Sequence, residues 1–319
     1  MPKVLITGAD GFVASHMIDY ILLHQHRTDV IATYRRLSDM KNIKHCMKDI
    51  TLIEMELTDP LSVESVFKQV GYVDKVFHMA AQTFVPTSWQ SPQSTIETNI
   101  LGTMNVLEAV RKVDKGIFVA ISGSSEEYGK VYPHECPIKE EQSLRPLSPY
   151  GVSKVAADKL GFQYAQSYGM NVLVTRAFNM TGPRRAEAFV DSNFAKQIAT
   201  IEKGGKYIVQ HGNLDAIRDF TDVRDTVNAY WALSEKKWHG DVINVCTGVG
   251  HSMDEVLTVL SSMAKTPIVR QIDQNRMRPS DVPILIGDNT KLKMYTSWYP
   301  SYGWEESLED LLCYWRENV

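Results

Sequence analysis

The sequence predicts an α/β protein, a doubly wound parallel sheet followed by a smaller C-terminal α/β part. Three observations carry that expectation. Short apolar runs alternate with helical patterns from residue 3 to residue 176, the order that builds a parallel sheet. The first run leads into a glycine turn and then a helical segment, the opening unit of Rossmann-type folds. After residue 178 the stretch Asn179-Met180-Thr181-Gly182-Pro183-Arg184-Arg185 breaks the alternation with glycine, proline and charge. A division into residues 1–178 and 179–319 follows, with a buried-strand pattern at 241–246 expected to return to the first sheet.

The first run, residues 3–7, is followed by Gly8, Gly11, Phe12, Val13 and Ala14. The spacing is GxxGxxA. Gly8 and Gly11 allow a tight turn and close backbone approach, and the helix that follows offers its N-terminus to a pyrophosphate. A second strand is expected at 29–33. A unit specific for an unphosphorylated ribose would end it in Asp or Glu. Here the chain reads Tyr34-Arg35-Arg36. Two guanidinium groups in that place favour a 2′-phosphate, hence NADP(H) over NAD. The third run, 51–55, is followed by Leu57 and Asp59. Asp59 either contacts the adenine amine or caps the helix at 62–70. The fourth run, 73–81, ends in Ala80 and Ala81, small enough for a dinucleotide to lie against the strand end. A long helical pattern at 93–111 holds Asn99, which is either solvated or binds a buried water. The fifth run, 116–122, carries Ser124 just beyond its end, where ligands gather in doubly wound sheets.

Tyr150 and Lys154 lie four residues apart, just inside a helix expected at 149–169 that Ser148 can cap and Pro149 suits. That spacing puts them on one face. A free phenol titrates near ~10, and a fixed ammonium beside it is expected to lower that value. The pair can therefore move a proton on and off a bound oxygen, with Ser124 placed to hydrogen-bond the same atom. Further on, arginines gather at Arg184/Arg185, Arg218 and Arg276/Arg278. Each is either a surface ion pair or part of a site for a diphosphate.

The bulk numbers exclude other classes. A net charge of −4 argues against a general nucleic-acid binder. The four cysteines include no CxxC and are expected to be reduced thiols of a cytoplasmic protein. The nine histidines show no metal spacing, and His24 with His26 reads as a solvated helix end. No secretory signal is expected at the N-terminus. No apolar run approaches the ~18 residues of a membrane span.

Taken together, residues 7–15, Asn99, Ser124, Tyr150 and Lys154 resemble the extended short-chain dehydrogenase/reductase family, over a stretch running from residue 3 to about 292. Within it the chain is similar to the GDP-mannose branch, through Tyr34-Arg35-Arg36, through 212–219 (GNLDAIRD) and through 278–282 (RPSDV), where Asp281 replaces the usual Glu. The resemblance implies NADP(H) as cofactor and a GDP-sugar substrate, held mainly by the C-terminal part through Asn179, Arg185, Arg218, Arg278 and Asp281. It implies a homodimer or higher homo-oligomer formed through the two long helices.

It also implies one of two reactions. In the first, NADPH reduces the C4 ketone of GDP-4-keto-6-deoxy-mannose, Tyr150 donating the proton. In the second, GDP-mannose loses water across C5 and C6, with Glu126 as base. Residues 178–197 and 243–248 lean toward the reduction. Arg184-Arg185 and Glu126 lean toward the dehydration. The reduction is the leading expectation. A C4 epimerase would prefer NAD, against Arg35 and Arg36. A non-catalytic NADP-binding regulatory protein would be expected to have lost Tyr150, Lys154 or Ser124, and all three are present.

Overall fold

Runs of Val, Ile and Leu too short for helices form the strands of the first half, because both faces of all but the edge strand at Thr51–Glu54 are buried. In the computed structural model, which describes residues 1–276 and 282–319, these strands are β1 (Lys3–Thr7), β2 (Asp29–Tyr34), β3 (Thr51–Glu54), β4 (Lys75–His78), β5 (Phe118–Ser124) and β6 (Asn171–Ala177). The helices between them are α1 (Phe12–His24), α2 (Pro60–Val70), α3 (Val85–Gln90), α4 (Pro92–Ile96), α5 (Gly102–Val113) and α6 (Pro149–Tyr168). Beyond them come β7 (Asn179–Thr181), α7 (Val190–Glu202), β8 (Ile208–His211), β9 (Ile217–Asp222), α8 (Val223–Ser234) and β10 (Asp241–Val245). The chain ends with β11 (Gly250–Ser252), α9 (Met253–Ser262), β12 (Val269–Ile272), β13 (Ile284–Leu285), α10 (Thr290–Thr296) and α11 (Trp304–Asn318).

The main sheet is parallel, in the order β3-β2-β1-β4-β5-β6-β10. This is the doubly wound Rossmann arrangement, and its strand order reverses between β1 and β4, where ligands bind in such sheets. Alternate residues of each strand serve opposite faces. Val4 and Ile6 join Met17, Ile21 and Tyr230 on one face, while Leu5, Val76 and Val119 join Leu107 and Ala157 on the other. Strand β10 pairs with β6, and Val227 of α8 and Leu292 of α10 pack into the first of these cores. A separate core holds Phe194, Ile198, Leu257 and Leu311, from α7, α9 and α11.

The long helix expected at 93–111 is interrupted. Residues Glu97–Leu101 form a π-helical turn between α4 and α5. Such turns shift the side chains that follow and are frequent at functional sites. Helix α6 begins and ends as its sequence directs. Ser148 accepts the Gly151 amide at 3.0 Å, Pro149 occupies the first turn, and Gly169 closes the helix at φ +71°.

One buried ion cluster joins several of these elements. Arg176 of β6 is 2% exposed. Its guanidinium donates to Asp158 of α6 at 2.7 Å and to Glu127 at 3.1 Å, and it reaches the Glu140 carbonyl and the Tyr128 hydroxyl. Glu127 in turn accepts the backbone amide of Ser124 at 2.8 Å. Removing one member leaves buried charge without compensation. Arg176→Ala is therefore expected to cost about 3–5 kcal/mol, read as a lower urea midpoint at unchanged slope.

Candidate functional site

The glycine turn meets the end of β4 at the switch point. Gly8 has φ +78°, and a Cβ added there would lie 3.0 Å from the Ala80 Cα. Only glycine gives both the left-handed conformation and the clearance. The Gly8 and Ala9 amides donate to the Thr33 carbonyl, and Gly11 donates back to Gly8. A cleft of about 870 Å³ runs from this turn across the molecule. Gly8, Gly11, Phe12, Val13, Arg35, Leu57, Ala80 and Ala81 all line it. This cradle fits a dinucleotide: the backbone is bare where a pyrophosphate would lie, and Arg35 stands exposed where a 2′-phosphate would.

Two residues expected at the cofactor lie off the cleft wall. Asp59 is a helix cap: its carboxylate accepts the Leu61 amide at 2.9 Å, outside the cleft wall. Met55 and Glu56 line the cleft beside Leu57 instead. Arg36 is exposed and off the wall, so Arg35 alone of the pair borders the cleft.

Tyr150, Lys154, Ser124 and Glu126 come together at the middle of the cleft. Tyr150 is 8% exposed and hydrogen-bonds with Ser124. Burial pushes its phenol above the ordinary tyrosine value. The Ser124 bond opposes that shift, and the charges of Glu126 and Glu127 add to it. The lowering expected from Lys154 does not prevail, because burial sets the direction. The ammonium sits 5.9 Å from the ring centroid and donates to the Ser122 carbonyl at 2.7 Å. Desolvation dominates both groups and brings Lys154 down to about 8, against the pull of Glu127.

Asn99 is buried and bonded within the protein. From the π-helical turn its amide grips the Gln82 backbone at both ends, accepting from N–H at 2.8 Å and donating to C=O at 3.0 Å. The same amide donates to Ser153 at 2.9 Å, and Ser153 donates to the Tyr150 carbonyl at 2.7 Å. Behind it, His78 bonds Thr7 at 2.9 Å and Thr103 at 3.0 Å, and Thr103 donates to the Asn99 carbonyl. Burial holds His78 down to about 3, so it is neutral. This network connects the first strand, the loop after β4 and the catalytic helix.

The sequence reading did not single out Ser153, His78 or Glu127. A charged Arg176 inside an otherwise apolar strand run was the available signal for Glu127, because such a residue needs a buried partner.

On the other wall lie Asn179, Arg185 and Arg218. Arg185 is buried, 3.6 Å from Asp191, with its guanidinium 3.9 Å from the Phe189 ring centroid and 5.3 Å from that of Phe12. Desolvation lowers its pKa. Arg218 donates to the Ile217 carbonyl at 2.9 Å. Arg276 also reaches the cleft and donates to Asn193 at 2.6 Å. Arg184 does not join Arg185; it turns away at φ +68° to pair with Asp19 of α1 at 2.7 Å. Arg278 and Asp281 lie outside the described residues. Asp19, His45 and Cys46 converge in space although far apart in sequence. Asp19 is already engaged by His45 and Arg184, and burial pushes the Cys46 thiol up to about 11. Among the described residues no helix is long and apolar enough to cross a membrane.

Comparison with known proteins agrees with this geometry. The family model for GDP-mannose 4,6 dehydratase matches residues 5–311. A GDP-6-deoxy-D-mannose reductase of Pseudomonas aeruginosa is 31% identical, over 99% of this chain and 98% of that protein. A GDP-mannose 4,6-dehydratase of Vibrio cholerae is 28% identical, over 97% and 92%. The solved structure of RMD from Pseudomonas aeruginosa complexed with NADPH superposes with a TM-score of 0.87 at 29% identity, covering both chains fully.

The contrast between Arg35 and Arg36 gives a direct test. Losing one charge-assisted contact is worth ~10–100-fold. Arg35→Ala is expected to weaken NADPH by that factor in fluorescence titration, to leave NADH unchanged, and to exceed the effect of Arg36→Ala.

Proposed function

Because the chain belongs to the GDP-mannose 4,6 dehydratase family of extended short-chain dehydrogenases/reductases, we propose that it is an NADPH-dependent reductase converting the C4 ketone of GDP-4-keto-6-deoxy-mannose to GDP-6-deoxy-mannose (GDP-rhamnose). The observation that carries this reading is the meeting of Tyr150, Ser124 and Lys154 at a cleft that fits a dinucleotide, in a chain 31% identical over nearly its whole length to a GDP-6-deoxy-D-mannose reductase. Burial and two neighbouring carboxylates raise the phenol above its ordinary value, which suits its use as the acid of a reduction.

Gly8, Gly11 and Arg35 would hold NADPH along the glycine turn, where the cofactor would supply a hydride for C4. Tyr150 gives its proton to the alkoxide that develops on the C4 oxygen. Ser124 shares a hydrogen bond with the phenol and steadies the same oxygen. Lys154 carries positive charge in its ordinary working range and favours the phenolate left behind. Such positioned proton transfer contributes ~10²–10⁴-fold. Asn179, Arg185 and Arg218 are proposed to hold the GDP portion, so that binding far from C4 orients the ketone.

One observation favours a second reading, the 4,6-dehydration of GDP-mannose. Glu126 borders the cleft, and its charge reaches Tyr150. A carboxylate there can take the C5 proton once C4 is oxidised.

We also propose a cytoplasmic homo-oligomer. The four cysteines are all free thiols. Leu101, Val152 and Phe162 leave apolar surface exposed on the outer sides of the π-helical turn and α6.

Turnover separates the two reactions. The reductase consumes NADPH with the keto-sugar, loses ~10²–10⁴-fold as Tyr150→Phe, and stays near normal as Glu126→Gln. Formation of a 4-keto sugar from GDP-mannose without net cofactor use, abolished by Glu126→Gln, sinks the reductase. A pH profile tests Lys154. Its ammonium is charged below about 8 and neutral above. The kcat/KM for NADPH should thus be level below that pH and fall above it. Lys154→Met should give a lower plateau without that limb.

A further inference from the structure

Phe84 follows β4 and Phe189 precedes α7, so they come from opposite sides of the cleft, and both line it. Their rings meet edge to face, with centroids 5.9 Å apart and planes at 74°. Phe189 also carries the Arg185 guanidinium at 3.9 Å, and Arg185 is near enough to Tyr150 for the two to interact electrostatically. Phe84 stands two residues from Gln82, which Asn99 ties to Ser153 and so to the Tyr150 carbonyl, and the pair lines the same cleft as Tyr150. In a hexose, C6 is two bonds from C4. A sugar whose C4 oxygen meets Tyr150 must present C6 to a nearby wall.

We propose that Phe84 and Phe189 form that wall, and that Phe84 makes the site prefer a 6-deoxyhexose over one with a C6 hydroxyl. This rests on the nucleotide-sugar reading of the cleft and deepens it. A phenyl ring packs well on a methyl group and offers a hydroxyl no good partner. Phe84 is also held in place. Its carbonyl accepts from the Gln82 side chain at 3.0 Å and from the Ser88 amide, and the Gln82 backbone is gripped by Asn99. The backbone from which the ring projects is thereby tied to the network around Tyr150.

An apolar pocket rejects an added hydroxyl only modestly, ~10²-fold at most. The test is a comparison of GDP-6-deoxy-mannose with GDP-mannose as ligands of the NADPH complex, by calorimetry, with GDP as the reference. The wild-type chain should bind the deoxy sugar ~10–100-fold more tightly. Phe84→Ser should bring the two within about threefold, without changing the affinity for GDP or NADPH, and Phe84→Leu should keep most of the preference. Equal affinities in the wild type, or a ratio unmoved by Phe84→Ser, overturn the proposal. If Phe84→Ser fails to fold, Phe84→Gln reads in its place: a wild-type preference that it leaves unmoved overturns the proposal. Binding is measured without turnover. A chain that prefers the deoxy sugar yet leaves the ketone unreduced upholds this inference and overturns the reductase. A chain that reduces the ketone but binds both sugars alike does the reverse.

Discussion

One buried guanidinium fixes the geometry on which the site depends. Arg176 links β6 to α6 through Asp158 and to the end of β5 through Glu127. Glu127 then accepts the Ser124 amide. The distance between Ser124 and Tyr150 is therefore set from behind, by charges that solvent does not reach. Glu127 closely fills its place, since a Cβ on Gly123 would come within 2.6 Å of its carboxylate. In a low-dielectric interior such a cluster holds only when each charge keeps its partners. It stabilises one arrangement more than it stabilises the fold.

The same charges shape the chemistry. Glu127 helps hold the Tyr150 proton on and opposes the fall of the Lys154 pKa. A residue that touches no substrate thus sets the resting state of two that would. The second support comes from the opposite side, through Asn99. A π-helical turn aims its amide at two targets at once, the loop after β4 and Ser153 on the catalytic helix. The cofactor groove and the catalytic helix are joined by direct hydrogen bonds.

Local rules made much of this legible. The strand–glycine–helix unit, the Ser148 cap and the four-residue step from Tyr150 to Lys154 need only neighbouring residues, so they could be read directly. Asp59 was ambiguous for the same reason: a carboxylate before a helix satisfies local and ligand roles alike, and the Leu61 amide claims it. Arg35 and Arg36 are adjacent, yet only the first borders the cleft. Arg184 and Arg185 diverge because a left-handed backbone at Arg184 sends their side chains apart.

The sequence by itself determined the sheet class, the place of the glycine turn, the placing of Tyr150 and Lys154 as a pair on one helix and the branch of the family, because each is written in short-range spacing and residue type. Tertiary structure alone decided how deeply that pair is buried. The expectation that Lys154 would lower Tyr150 considered two charges and left out their burial. Desolvation depends on everything packed around a group, and it reversed the sign for the phenol. It likewise took folding to set Phe84 against Phe189, 105 residues later in the chain, beside the space where the sugar is proposed to lie.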